Sequence, residues 1–188
     1  ANKDRGPFPL ILCLHGGGWS MGSRRSFHKM MREFAARQFV AASMEYRLAP
    51  GARHPAQADD IRAALRFLRE DPRWKVNPKQ VALLGASAGA HLALVAGLPE
   101  TNPREQVQAI VDISGPADLR DWRMSETADR TLQKTTGKSS RDLVTDLLNA
   151  RTAKDTAVGC LMGPAVLARL ILPIAGLVAV HLFMRGHN

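Results

Sequence analysis

Along the chain, short continuous apolar runs alternate with stretches where apolar residues recur at helical spacing. Pro9–His15 (PLILCLH) is an apolar run that ends in a glycine cluster, which predicts a buried strand. Arg25–Arg37 carries Phe27, Met30, Met31 and Phe34 at helical spacing, and Phe39–Met44 predicts a second strand. Ala56–Arg69 places Ile61, Ala64, Leu65 and Leu68 on one helical stripe. Asp71-Pro72 closes that helix, because proline cannot continue it. Val81–Leu84 predicts a third strand, followed by a helix of small residues over Ala88–Gly97. Val107–Ile113 predicts a fourth, stopped by Ser114-Gly115-Pro116. Nearly all-apolar strands that alternate with helices predict an α/β fold, a mostly parallel sheet with helices on both faces.

After Asp121 the pattern weakens. Ser140–Leu148 predicts one more helix, with Ser139 or Ser140 as its N-cap. Residues 156–188 contain no acidic residue and only two basic ones, Arg169 and Arg185, and no further strand–turn–helix unit is legible there. The chain therefore divides into a partial core over residues 1–150 and an atypical apolar tail over 151–188, with the later strands of the sheet expected to be missing. An open edge on the fourth strand follows, either bare or covered by a helix from the tail. The polar, turn-rich opening Ala1–Pro9 lacks a signal-like apolar segment and reads as starting inside a larger chain.

Composition narrows the class further. A length of 188 residues suits one domain or most of one, and 45% hydrophobic with 23% charged excludes a disordered chain. The net charge of +9 is spread out, with no more than two adjacent basic residues, as at Arg24-Arg25. A nucleic-acid binder concentrates its charge on one face, so nucleic acid is not expected as a partner. Two cysteines, Cys13 and Cys160, build no disulfide framework, and Cys13 sits in an apolar run as a buried thiol. No cysteine pair has metal spacing and the six histidines are scattered, so no zinc site is expected.

Two motifs carry chemistry. His15-Gly16-Gly17-Gly18-Trp19 directly follows a strand. Three consecutive glycines let backbone N–H groups converge on one space, as acyl transfer requires where charge develops on a carbonyl oxygen. Gly85-Ala86-Ser87-Ala88-Gly89 follows the strand VALL and opens a helix, which fits the sharp G-x-S-x-G turn that exposes a serine hydroxyl. The helix N-terminus after it offers free N–H groups to negative charge.

With both motifs in this order, the chain resembles an α/β-hydrolase of the carboxylesterase branch that includes hormone-sensitive-lipase-like and feruloyl-esterase-like enzymes. The resemblance extends to Tyr46-Arg47-Leu48-Ala49-Pro50, Pro55-Ala56-Gln57, Asp60, Ala90-His91-Leu92-Ala93 and Ser114-Gly115-Pro116-Ala117-Asp118-Leu119, over about residues 6–150. It implies a serine carboxylic-ester hydrolase with Ser87 as nucleophile and the amides of Gly17, Gly18 and Ala88 as oxyanion hole, with no metal or organic cofactor. It implies structural roles for Tyr46–Pro50 and Asp60, a packing role for His91, and a small ester, short-chain or aryl, as substrate. Trp19 is expected either to line the substrate pocket or to pack in the core.

The acid and base of a catalytic triad are unknown. After Ser87 the histidines are His91, His181 and His187, and no acid follows Asp155. Arg185-Gly186-His187 resembles a histidine turn only superficially. Three accounts of the tail stay open: a truncated or frame-shifted product, a hydrophobic anchor, or a variant C-terminus that packs on the sheet. For an anchor, charge-free Leu170–Met184 falls short of the ~20 residues that span a bilayer, so a membrane is not expected. The competing functional class is a catalytically inactive hydrolase-fold module that binds without turnover, or a fragment.

Overall fold

Side chains on successive residues of β1 (Phe8–Leu14) point to opposite faces and divide the core in two. Leu10, Leu12 and Leu14 enter one buried cluster, whereas Ile11 and Cys13 enter a second. The fold is that of a computed structural model that describes residues 6–97, 106–116, 119 and 124–148, together with the backbone of Val180–Met184.

Strands β2 (Val40–Met44), β1, β3 (Val76–Ala86), β4 (Ala109–Ile113) and β5 (Val180–Met184) lie side by side in that order. The first four run parallel, and β5 pairs antiparallel with β4. Leu14 is in register with Gly85, and Gly85 with Asp112. The chain therefore leaves β1, β3 and β4 at one edge of the sheet, which brings the loops after β1 and β3 together.

The first face is covered by α2 (Ala56–Glu70) and α3 (Ala88–Gly97). Ile61, Leu65 and Leu68 form the buried stripe of α2. The helix ends where Asp71 turns extended, at ψ 108°, ahead of Pro72. α3 has no polar face; its alanines, glycines and leucines are buried all round, between the sheet and α2. α5 (Ser140–Leu148) adds Leu143, Val144 and Leu147 to the same cluster. The opposite face receives α1 (His28–Ala36), whose Met31 and Phe34 pack with Phe27 against Ile11, Cys13 and Leu84. Burial pushes the Cys13 thiol up to about 12, so it stays protonated and inert.

Three elements depart from the sequence pattern. β3 starts at Val76, five residues before the apolar run, because its exposed Pro78, Lys79 and Gln80 hide the strand in a polar stretch. α4 (Glu126–Thr136) is largely polar; Ser125 caps it by accepting from Ala128 N, and Gly137 at φ 74° ends it. The third departure corrects the expectation of a bare or helix-covered edge, because Val180–Met184 of the tail is a strand. The outer N–H and C=O groups of β4 need partners, and a backbone ladder satisfies them where a helix would not. The rest of the tail lies outside the described residues.

Candidate active site

Ser87 sits between the end of β3 and the start of α3 with φ at 51°, a left-handed conformation that non-glycine residues rarely adopt. Its amide donates to Ile113 O at 2.8 Å, and its carbonyl accepts from Ala90 N and His91 N at 3.0 and 3.1 Å. The turn is tight enough to exclude side chains on both arms. A Cβ on Gly85 would collide with the Gly89 carbonyl, and one on Gly89 with the carbonyls of Leu14 and His15. The result is a serine that is exposed while Gly85, Ala88 and Gly89 around it are buried. Ala88 opens α3, where no helical carbonyl precedes it to accept its N–H.

The glycine loop leaves β1 directly beside this turn. A Cβ on Gly16 would stand 2.9 Å from Ala86 O and 3.4 Å from the Ser87 Cβ, so only a bare Cα allows the approach. The carbonyls of Gly16 and Gly17 are held inside the loop. Gly16 O accepts from His15 Nδ1 at 2.9 Å, and Gly17 O accepts from Ser20 N and Met21 N at 3.2 and 3.1 Å. In a trans peptide the N–H points opposite to the C=O, so anchoring these carbonyls directs the Gly17 and Gly18 amides the other way. Gly17 and Gly18 have φ of 119° and 58°, and a Cβ on Gly18 would lie 2.6 Å from Leu143 Cδ1, so α5 packs directly on the loop.

Behind the loop, Trp19 is 1% exposed and its carbonyl accepts from Ala49 N, which places it in the core. Tyr46 stacks on His15 at 4.2 Å and donates its hydroxyl to His15 O at 2.7 Å. Burial, with the Glu45 charge beside it, pushes the Tyr46 hydroxyl well above its ordinary range, so it remains a donor. Arg47 grips Asp60 with Nε at 3.0 Å and with its own amide at 2.9 Å, which ties the segment after β2 to α2. Burial favours the neutral Asp60, but the hydrogen bonds from Arg47 outweigh it and hold the carboxyl below the ordinary range.

His91, one turn along α3, is 3% exposed and meets Trp19 edge-on at 5.5 Å. Neither ring nitrogen has a hydrogen-bond partner among the described residues. Burial, with His54 nearby, lowers its proton affinity to a value of about 4, so the ring is neutral and serves as packing. Among the described residues no histidine hydrogen-bonds the Ser87 hydroxyl. Asp112 is buried, with Oδ1 accepting from Gly115 N at 2.6 Å. The backbone register sets His181 opposite Asp112, whereas His187 lies outside the described residues. The contacts of His15 with Glu45 and Tyr46 were not legible in the sequence; the only signal was that Glu45-Tyr46 leaves a strand next to the glycine loop. Among the described residues no cluster of three or more His, Cys, Asp or Glu could hold a metal, and no helix is long and apolar enough to cross a membrane.

Comparison with known proteins adds a consistent picture. Residues 1–167 match the family model BD-FAE. Esterase LipC of Mycobacterium tuberculosis is 31% identical over 134 residues, which cover 65% of this chain and 33% of LipC. Carboxylesterase NlhH of the same organism is 33% identical over 114 residues, covering 60% of this chain and 33% of NlhH. The chain thus spans about a third of the length of these curated relatives. Among solved structures, an esterase from Pyrobaculum calidifontis superposes with a TM-score of 0.62 at 21% identity, covering 82% of this chain and 52% of that one. Esterase B from Lactobacillus rhamnosis superposes at 0.61 and 22% identity, covering 80% and 50%.

Proposed function

Because this chain belongs to the BD-FAE family and has the α/β-hydrolase fold, we propose that it carries the nucleophile half of a serine carboxylic-ester hydrolase. The observation that carries this reading is the strained Ser87, exposed between Gly85 and Gly89 with Gly16 against its Cβ. Stored backbone strain at an exposed serine is costly and has no packing purpose.

In the proposed reaction an ester lies above the ends of β1 and β3, and Ser87 Oγ attacks its carbonyl carbon as a base takes the hydroxyl proton. The carbonyl oxygen becomes an oxyanion that accepts from the amides of Gly17, Gly18 and Ala88. Collapse breaks the ester C–O bond, the alcohol leaves with a proton, and the acyl group stays on Ser87. Water then attacks the acyl-enzyme, releasing the carboxylic acid and restoring the hydroxyl. The base and its orienting acid are not assigned to residues. His91 does not suit the task, since its ring is buried against Trp19. The substrate class is a small ester, short-chain or aryl, in keeping with the esterases and carboxylesterases that the chain resembles.

Two assays test the reading. Hydrolysis of p-nitrophenyl acetate should exceed that of Ser87→Ala by at least about 100-fold, within the range that removing an activated nucleophile costs. A fluorophosphonate probe should label Ser87 and no other residue. Equal hydrolysis rates and no labelling would leave an inactive hydrolase-fold module that binds ligand without turnover.

A further inference from the structure

His15 is fully buried beneath the glycine loop, and its surroundings fix its ring on every side. Tyr46 stacks on one face with planes 14° apart, and a Cβ on Gly22 would collide with Nδ1, so glycine is required there. Nδ1 donates to Gly16 O at 2.9 Å. Nε2 faces Glu45 Oε2 at 3.4 Å, an ion-pair distance rather than a close hydrogen bond. Glu45 is itself anchored from the other side, where Oε1 accepts from Ser23 Oγ at 3.4 Å and Arg24 N at 3.2 Å.

The Gly16 carbonyl belongs to the same peptide unit as the Gly17 N–H. Whatever fixes the direction of that carbonyl fixes the direction of the amide, because the unit is planar and trans. His15 holds the carbonyl, and Glu45 is the side chain that meets the far nitrogen of His15. With Nδ1 donating to Gly16 O, the Glu45 carboxylate attracts the ring only when Nε2 carries hydrogen as well, so its negative charge favours the ring form and orientation in which Nδ1 is a donor. We propose that Glu45 is a positioning residue, which aims the Gly17 amide at the space beside Ser87 by acting through His15 on the Gly16 carbonyl. The catalytic part of this inference rests on the esterase reading; the structural part, the link from Glu45 to the Gly17 amide, does not.

Glu45→Gln separates the two contacts. Glutamine keeps an oxygen for Ser23 and Arg24 but removes the negative charge that faces His15. Ser23→Ala is the converse control, since it removes one anchor of Glu45 without touching His15. In two-dimensional ¹H–¹⁵N spectra, Glu45→Gln should shift the Gly17 and Gly18 amide resonances and Ser23→Ala should leave them in place. With p-nitrophenyl acetate, Glu45→Gln should lower kcat about tenfold with KM unchanged, a smaller loss than removing an oxyanion donor outright. Unshifted Gly17 and Gly18 amides in Glu45→Gln, or an unchanged kcat in that variant of an active enzyme, would overturn the proposal. If the wild-type chain shows no Ser87-dependent turnover, the esterase reading fails by itself and the amide shifts still decide the role of Glu45.

Discussion

Gly89 shows how much of the turn at Ser87 depends on single atoms. One methyl group there would be driven into the backbone carbonyls of Leu14 and His15, which have no side-chain freedom with which to yield. Gly89→Ala should therefore cost about 3 kcal/mol or more in urea unfolding. Gly137→Ala is the informative contrast: nothing lies within 4 Å, and only the left-handed φ of 74° opposes it. That variant should lose about 1 kcal/mol. At the same scale, His91 makes stability depend on pH. Its ring is held neutral in the folded protein, where it titrates at about 4 instead of its ordinary 6.5. The unfolded chain then binds the extra proton first, so this stability is complete above pH 6.5 and is lost as pH falls towards 4. The displacement amounts to roughly 3 kcal/mol. Unfolding free energies taken between pH 7 and 4 should fall less steeply in His91→Leu than in the wild type.

At the scale of elements, α2 and its partners show which side chains support the site. Ile61 is fully buried under the sheet, whereas Phe67 on the same helix is 54% exposed. Ile61→Ala should cost about 3 kcal/mol and Phe67→Ala less than about 1 kcal/mol, measured as shifts in the chemical unfolding midpoint. The Ile61 stripe was legible because its spacing repeats with the helix. α4 was not, because it buries too little apolar surface to leave a stripe, and only its capping serine and terminal glycine mark it. The start of β3 was hidden for a related reason. Val76 pairs with Phe8, but the register with β1 shifts before Val81, and the exposed Pro78, Lys79 and Gln80 in that irregularity carry no apolar pattern.

For the whole molecule the decisive contact is between β4 and a segment far along the chain. β5 covers the outer edge of β4, with Ile110 opposite Phe183 and Val111 opposite Leu182. Removing residues 180–188 should expose that edge and promote self-association, seen as a larger species by light scattering during size-exclusion chromatography. A variant that stays monomeric with an unchanged thermal midpoint would show that β5 contributes nothing to the sheet.

Local pattern was enough to determine the alternation of β1 to β4 with α1 to α3, the capped α5, and the placing of Ser87 and the glycine loop at strand ends. These depend on periodicity and on glycines that only a tight turn requires, and both are written in neighbouring residues. Tertiary structure alone decided what those residues face. Gly16 meets Ser87, Leu143 covers Gly18, and Glu45 reaches His15, each across a gap in sequence that no local pattern spans. The same holds for β5, whose apolar run had no strand punctuation and acquired its conformation from the unpaired edge of β4, since backbone pairing is specified by the partner strand as much as by the segment itself.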